Sequence, residues 1–168
     1  MKHTISVLVE NQFGVLARIS GLFSGRGFNI DSLSVGETED PTVSRITLVV
    51  NGDDLILEQI MKQLNKLVDV IKVNDLTKDE YVDRELALIK VKSDSRARSE
   101  IMQIVDIFRG KIVDVAPQSI TIEVTGTEEK VQGIMDLLRE FGIKEIVRSG
   151  KIAISRDKKA SPHGRKKG

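Results

Sequence analysis

One order of elements is written twice along this chain of 168 residues, and few folds accept such a repeat. Residues 4–10 alternate, with Ile5, Val7 and Val9 on one face, the period of a strand buried on one side. Val15, Leu16, Ile19, Leu22 and Phe23 then recur at helical spacing, and Gly25-Arg26-Gly27 ends the run. Residues 30–35 read as a second strand. Residues 43–50 read as a third, with Ile46, Leu48 and Val50 on one face. Asp53 or Asp54 is placed to cap a helix carrying Leu57, Ile60, Met61 and Leu64, and residues 68–73 close the set. The order is βαββαβ.

A charged stretch, residues 77–85, has too little apolar content for a core and reads as a linker. The order then returns. Residues 86–91 form a strand, and Ile101, Ile104, Val105 and Phe108 mark a helix face. Strands follow at 111–115 and 119–125, the latter alternating Ile120, Ile122 and Val124. Thr127 caps a helix bearing Val131, Ile134, Leu138 and Phe141, with Glu128 and Glu129 in its first turn, and residues 143–155 finish as one strand. The pattern predicts an α+β chain of two tandem ferredoxin-like units, residues 1–76 and 86–155, each an antiparallel sheet with helices on one face. Units this small remove only about 60% of their surface from water, and the strand at 30–35 falls at a sheet edge. Both point to association, and pairing that edge with a second copy is the simplest solution.

Charge and composition narrow the function classes. The net charge of +1 divides into +5 over residues 156–168, with six basic residues and one acid, and −4 over the rest. An acidic body with a basic end is unlike a nucleic-acid domain, whose positive charge lies on a folded face. The tail reads as a solvated, disordered end. No apolar run reaches membrane-spanning length, and the first ten residues show no secretory core. With no cysteine there is no disulfide framework and no thiolate metal site, and the cytoplasm is the expected address.

Ferredoxin-like units serve many functions, so function must come from a site. RNA readers of this topology stack bases on aromatics of the central strands, whereas Phe13, Phe23, Phe28, Tyr81, Phe108 and Phe141 all fall on expected helices or loops. The only histidines, His3 and His163, make no metal cluster. Acyl-phosphate hydrolysis would need a basic, glycine-rich loop before Arg18, and Asn11-Gln12-Phe13-Gly14-Val15 is not one. Neither a nucleophile with a base in reach nor a paired carboxylate stands out, so no catalytic residue is expected.

One segment is unusual. Residues 10–16 lead into the first helix, whose unpaired N–H groups carry the positive end of its dipole and suit a carboxylate. Gly14 admits a ligand close to the backbone, and Asn11 offers donor and acceptor groups. A plain helix entry, with Asn11 in a turn and Gly14 at the N-cap, accounts for the same residues.

At this loop a resemblance sets in. Residues 11–24, NQFGVLARISGLFS, resemble the start of an ACT domain, an amino-acid-sensing module, and residues 26–35, RGFNIDSLSV, resemble the regulatory (small) subunits of acetolactate synthase. Matching pieces continue through 40–45, 59–70, 84–86, 108–115 and 148–150, so the resemblance runs to about Ser155 and leaves the tail outside. It implies a non-catalytic subunit that binds and activates the catalytic (large) subunit and confers feedback inhibition by valine, in branched-chain amino acid and hence isoleucine biosynthesis. Thiamine diphosphate, FAD and magnesium would belong to the catalytic subunit, with none in this chain. The implied partners are that subunit and a second copy of this chain, joined through the ACT domains, with no nucleic acid and no membrane. The implied valine site lies between two chains: Asn11, Gly14 and Val15 on one, Asn29 and Ile30 on its neighbour, with Leu16 and Val35 lining it. The second unit has Ser93-Asp94-Ser95-Arg96 in place of the loop, so no second site is expected there. A free-standing ACT-type sensor acting on another enzyme is the alternative reading.

Overall fold

A computed structural model describes residues 1–158. In the first unit, β1 (Lys2–Glu10), α1 (Val15–Ser24), β2 (Asn29–Glu37), β3 (Val43–Asn51), α2 (Asp54–Leu64) and β4 (Val70–Asp75) form an antiparallel sheet ordered β2-β3-β1-β4. A 3-10 turn at Leu76–Lys78 leads into the second unit. There β5 (Tyr81–Lys92), α3 (Arg98–Ile107), β6 (Lys111–Ala116), β7 (Ser119–Gly126), α4 (Glu128–Leu138) and β8 (Ile143–Arg148) repeat the same arrangement, ordered β6-β7-β5-β8. A ninth strand, β9 (Ile152–Ser155), pairs with the start of β5. Two ferredoxin-like units in tandem are therefore present, as the repeat predicts.

The cores follow the two periods. Ile5, Val7 and Val9 of β1 and Ile46, Leu48 and Val50 of β3 meet Val15, Ile19 and Phe23 of α1 and Leu57, Ile60 and Leu64 of α2. Phe23 meets Phe28 edge to face, with centroids 6.2 Å apart at 82°, an arrangement aromatic quadrupoles favour. The second core repeats the scheme with Ile89, Val91, Ile101, Val105, Ile120, Ile122, Ile134 and Leu138. Each such side chain contributes roughly 1.5–3 kcal/mol on burial.

Four details depart from the sequence reading. The fourth strand starts at Val70 rather than at residue 68, and Val68 is exposed. The stretch 77–85, expected as a linker, contributes its last five residues to β5, so Tyr81 lies on a strand rather than on a helix or loop. Its charges are used in pairs that periodicity cannot show: Glu85 meets Arg148, and Asp83 lies 3.6 Å from Lys151. The closing strand 143–155 is two strands, separated at Ser149–Lys151. There Ser149 N–H donates to Leu86 O at 2.9 Å, Gly150 has φ +82°, and the register against β5 shifts by one residue. The disordered-tail expectation lies outside the described residues from 159 onward.

The second unit reaches across the open face of the first sheet. Thr4 Oγ1 lies 3.5 Å from Tyr81 Oη, Ser34 Oγ donates to Ser149 O at 3.2 Å, and Lys151 N–H donates to Ser32 Oγ at 2.9 Å. Thr4, Ser6 and Thr47 are buried on that face.

Candidate functional site

The starts of the four helices differ. Asp53 caps α2, accepting from Leu55 N–H at 2.8 Å and Ile56 N–H at 3.4 Å, and Thr127 caps α4 through Lys130 N–H at 3.4 Å. Ahead of α3, Asp94 accepts from Arg96 N–H at 2.9 Å and Ala97 N–H at 2.8 Å. The first helix has no such partner. Its N-cap is Gly14 at φ +80°, no side chain caps it, and no acid stands in its first turn. Arg18 N–H is the first to reach back, to Gly14 O at 3.0 Å, so the N–H groups of Val15, Leu16 and Ala17 lack helical acceptors. An anion would meet three donors and the positive end of the dipole there.

The preceding loop is held by backbone and amide contacts. Asn11 N–H donates to Thr42 O at 2.7 Å, and its side-chain amide donates to Pro41 O at 3.1 Å and to Glu37 Oε1 at 3.3 Å. Both amide hydrogens are thus used, which leaves Oδ1 as an acceptor. Phe13 between them is fully exposed. The sequence reading missed Glu37. Its only signal was its place at the far end of an edge strand, and it brings a carboxylate to the loop.

The remaining expected residues lie elsewhere in the same chain. Asn29 and Ile30 open β2 opposite Asn51 and Val50, whereas Glu37, beside Asn11, closes it opposite Ser44. Eight steps of strand separate the two groups by about 25 Å. Asn29 donates its amide to Asp31 Oδ1, leaving its own Oδ1 as an acceptor. Leu16 and Val35 are exposed at 40% and 49%, as residues lining a surface site must be. Val15 can meet a ligand only through its backbone. Its side chain is buried in the core, because helical spacing turns it toward Ile19.

The second unit fills the corresponding position itself. The Ala97 N–H first, and to a lesser extent the N–H and guanidinium of Arg96, holds the Asp94 carboxyl below the usual aspartate range against the opposing effect of desolvation. A carboxylate whose folded pKa is depressed stabilises the fold above its unfolded value and loses that contribution as pH falls through the folded value. Asp94→Ala should therefore melt lower than the parent at pH 7, with the gap closing as the pH falls below about 4. Thermal denaturation across pH checks this, and a gap independent of pH would remove the carboxylate from the account.

Comparison with known proteins places these features. Residues 5–72 match the model of the acetohydroxyacid synthase small subunit-like ACT domain, and residues 84–157 match the model of the small subunit of acetolactate synthase. The acetolactate synthase small subunit of Aquifex aeolicus is 55% identical over 157 residues, covering 93% of this chain and 82% of its own length. The chain belongs to the acetolactate synthase small-subunit family. The small subunit of Mycolicibacterium smegmatis is 54% identical over 92% of this chain and 91% of its own. The crystal structure of the Thermotoga maritima small subunit superposes with a TM-score of 0.84 at 45% identity, covering 94% of this chain and 99% of that one. In this chain the unit with the uncapped helix start is the one that matches the ACT-domain model, and the Asp94-capped helix start lies in the segment that matches the second model. No helix among the described residues is long and apolar enough to cross a membrane.

Proposed function

We propose that this chain is the regulatory subunit that activates the catalytic subunit of acetolactate synthase and makes it sensitive to valine, at a site shared by two copies. The observation that carries the reading is the uncapped start of α1 together with the 25 Å gap between the two residue groups. One chain cannot close that gap. Two β2 edges paired antiparallel about a two-fold axis near Leu33 would set the second copy's Asn29 across from Glu37, beside Asn11 and Gly14. The same pairing would cover Leu33 and Val35, which β2 leaves partly exposed at its edge.

Valine fits such a pocket group by group. Its carboxylate would take the free N–H groups of α1, and its ammonium the Asn11 and Asn29 oxygens and the Glu37 carboxylate. Ile30, Leu16 and Val35 would hold the branched side chain. A pocket of this kind separates ligands one methylene apart by only about 1–3 kcal/mol, so leucine and isoleucine should bind more weakly, yet measurably. Because both copies build the site, valine can favour one arrangement of the dimer and, in it, of the catalytic subunit. This cytoplasmic subunit would carry no step of the synthase reaction, and thiamine diphosphate, FAD and magnesium belong in this reading to the catalytic subunit.

Asn29→Ala tests the assignment. Loss of a hydrogen bond to the ammonium, worth about 1.5–3 kcal/mol, should weaken valine binding roughly 10- to 100-fold by calorimetry, with activation of the catalytic subunit retained. Lost activation with unchanged valine affinity would instead place Asn29 in the contact between subunits.

A further inference from the structure

Three different contacts fall on consecutive residues of β2. Asn29 and Ile30 belong to the proposed effector edge. Asp31 interrupts the register between Ile30 and Ser32, a bulge where the ladder is loosest. Ser32 and Ser34 hold the second unit, through Lys151 N–H at 2.9 Å and Ser149 O at 3.2 Å. The strand that meets the ligand thus also grips the second unit.

Asp31 joins the two through side chains. One of its oxygens accepts the Asn29 amide, and the other lies 3.9 Å from Lys2 Nζ. Lys2 Nζ is 3.5 Å from Glu128 at the start of α4, and Glu128 is 4.0 Å from Lys151, which is 3.6 Å from Asp83. Lys2, Asp31, Glu128 and Lys151 border a cleft of about 310 Å³ between the units. A run of polar contacts therefore leads from a proposed valine ligand into the second unit, ending beside the backbone that Ser32 holds. At that end Gly150 fits only as glycine. Its φ is +82°, and a Cβ there would stand 2.8 Å from Ser34 Oγ and 3.0 Å from Ser32 Oγ.

We propose that Asp31, with the Ser32 and Ser34 contacts, relays effector occupancy at Asn29 to the second unit. A ligand that draws on the Asn29 amide changes what Asp31 holds, and Asp31 in turn loosens or tightens Lys2 and Glu128. The relay supplies the two arrangements that an allosteric ligand must discriminate, one with the second unit gripped and one with it released. Asp31 is on this account a positioning residue, outside the ligand's own contacts. The inference rests on the valine site proposed above.

The test separates binding from its consequence. Asp31→Asn keeps an acceptor for Asn29 and removes only the charge facing Lys2. The double variant Ser32→Ala/Ser34→Ala removes the hydroxyls that hold Ser149 and Lys151. Each is measured twice: valine affinity of the isolated subunit by calorimetry, and depth of valine inhibition in the holoenzyme reconstituted with its catalytic subunit. The expected result in both is a valine Kd within about twofold of the parent, retained activation, and maximal inhibition reduced severalfold. Full-depth inhibition in both variants overturns the relay. So does inhibition lost in step with binding, because these residues would then belong to the site. A parent subunit that neither binds valine nor transmits inhibition overturns the site reading and the relay together, a result distinct from either of the others.

Discussion

Replacing Gly14 by aspartate should abolish valine inhibition while leaving the subunit folded. Position 14 has φ +80°, a region that Asp tolerates better than most residues, and a Cβ there meets nothing within 4 Å. The new carboxylate would accept the free N–H groups of α1, as Asp94 does ahead of α3, and so would occupy the seat proposed for the ligand's own carboxylate. Losing charge-assisted hydrogen bonds of about 1.5–3 kcal/mol each, with like-charge repulsion added, weakens valine binding by roughly 100-fold or more. The melting temperature should change little, because the cap gained at a bare helix start is offset by the strain of holding an L residue at φ +80°. Calorimetry and inhibition of the reconstituted holoenzyme measure the first effect, and thermal denaturation the second. Mixing tests the shared architecture. A dimer of one Gly14→Asp chain and one Asn29→Ala chain would contain one site with both lesions and one with neither, and so would regain valine binding. Failure of mixed dimers to bind would mean that each site lies within a single chain.

The largest stability effect is expected at His3. Its ring is buried in β1, with Nδ1 3.1 Å from Asp75 Oδ2 and Nε2 2.7 Å from Asp54 Oδ1. Asp75 is itself only 7% exposed and also accepts from Thr77 N–H at 3.1 Å, and Thr77 Oγ1 accepts from Thr4 N–H at 2.8 Å. His3→Ala strips Asp75 of its partner and cuts the tie among β1, α2 and the turn into the second unit. Taking a hydrogen-bond partner from a buried carboxylate costs about 1–3 kcal/mol, or about 2–12 °C in a chain of this size. Asp54 is 61% exposed, so Asp54→Asn should cost under about 1 kcal/mol. Comparable melting points for the two variants would show that burial of Asp75 does not set the energetics here.

Neither effect is equally legible in the sequence. The open start of α1 is local. It follows from Gly14 at the cap position and from the lack of an acid over residues 15–17, all within a few residues. His3 reads as an isolated histidine near the start of the chain, because its carboxylates come from positions 54 and 75, which only the sheet order brings alongside β1. Glu37 and Asp31 were silent for the same reason: their partners, Asn11 and Lys2, are remote in the chain.

What the residues decide alone is whatever depends on neighbours within one or two turns. Alternation of Ile5, Val7 and Val9, the helical spacing from Val15 to Phe23, and the caps at Asp53 and Thr127 specify the elements and, repeated, the tandem βαββαβ order. The family is likewise written in short ordered segments. Only the tertiary structure makes residues 81–85 a strand, because their charges are matched by Arg148 and Lys151 some sixty residues away. It alone sets Asn11 and Asn29 at opposite ends of β2. That last separation depends on register and strand order, which are long-range choices, and it is what makes a second copy necessary to complete the proposed site.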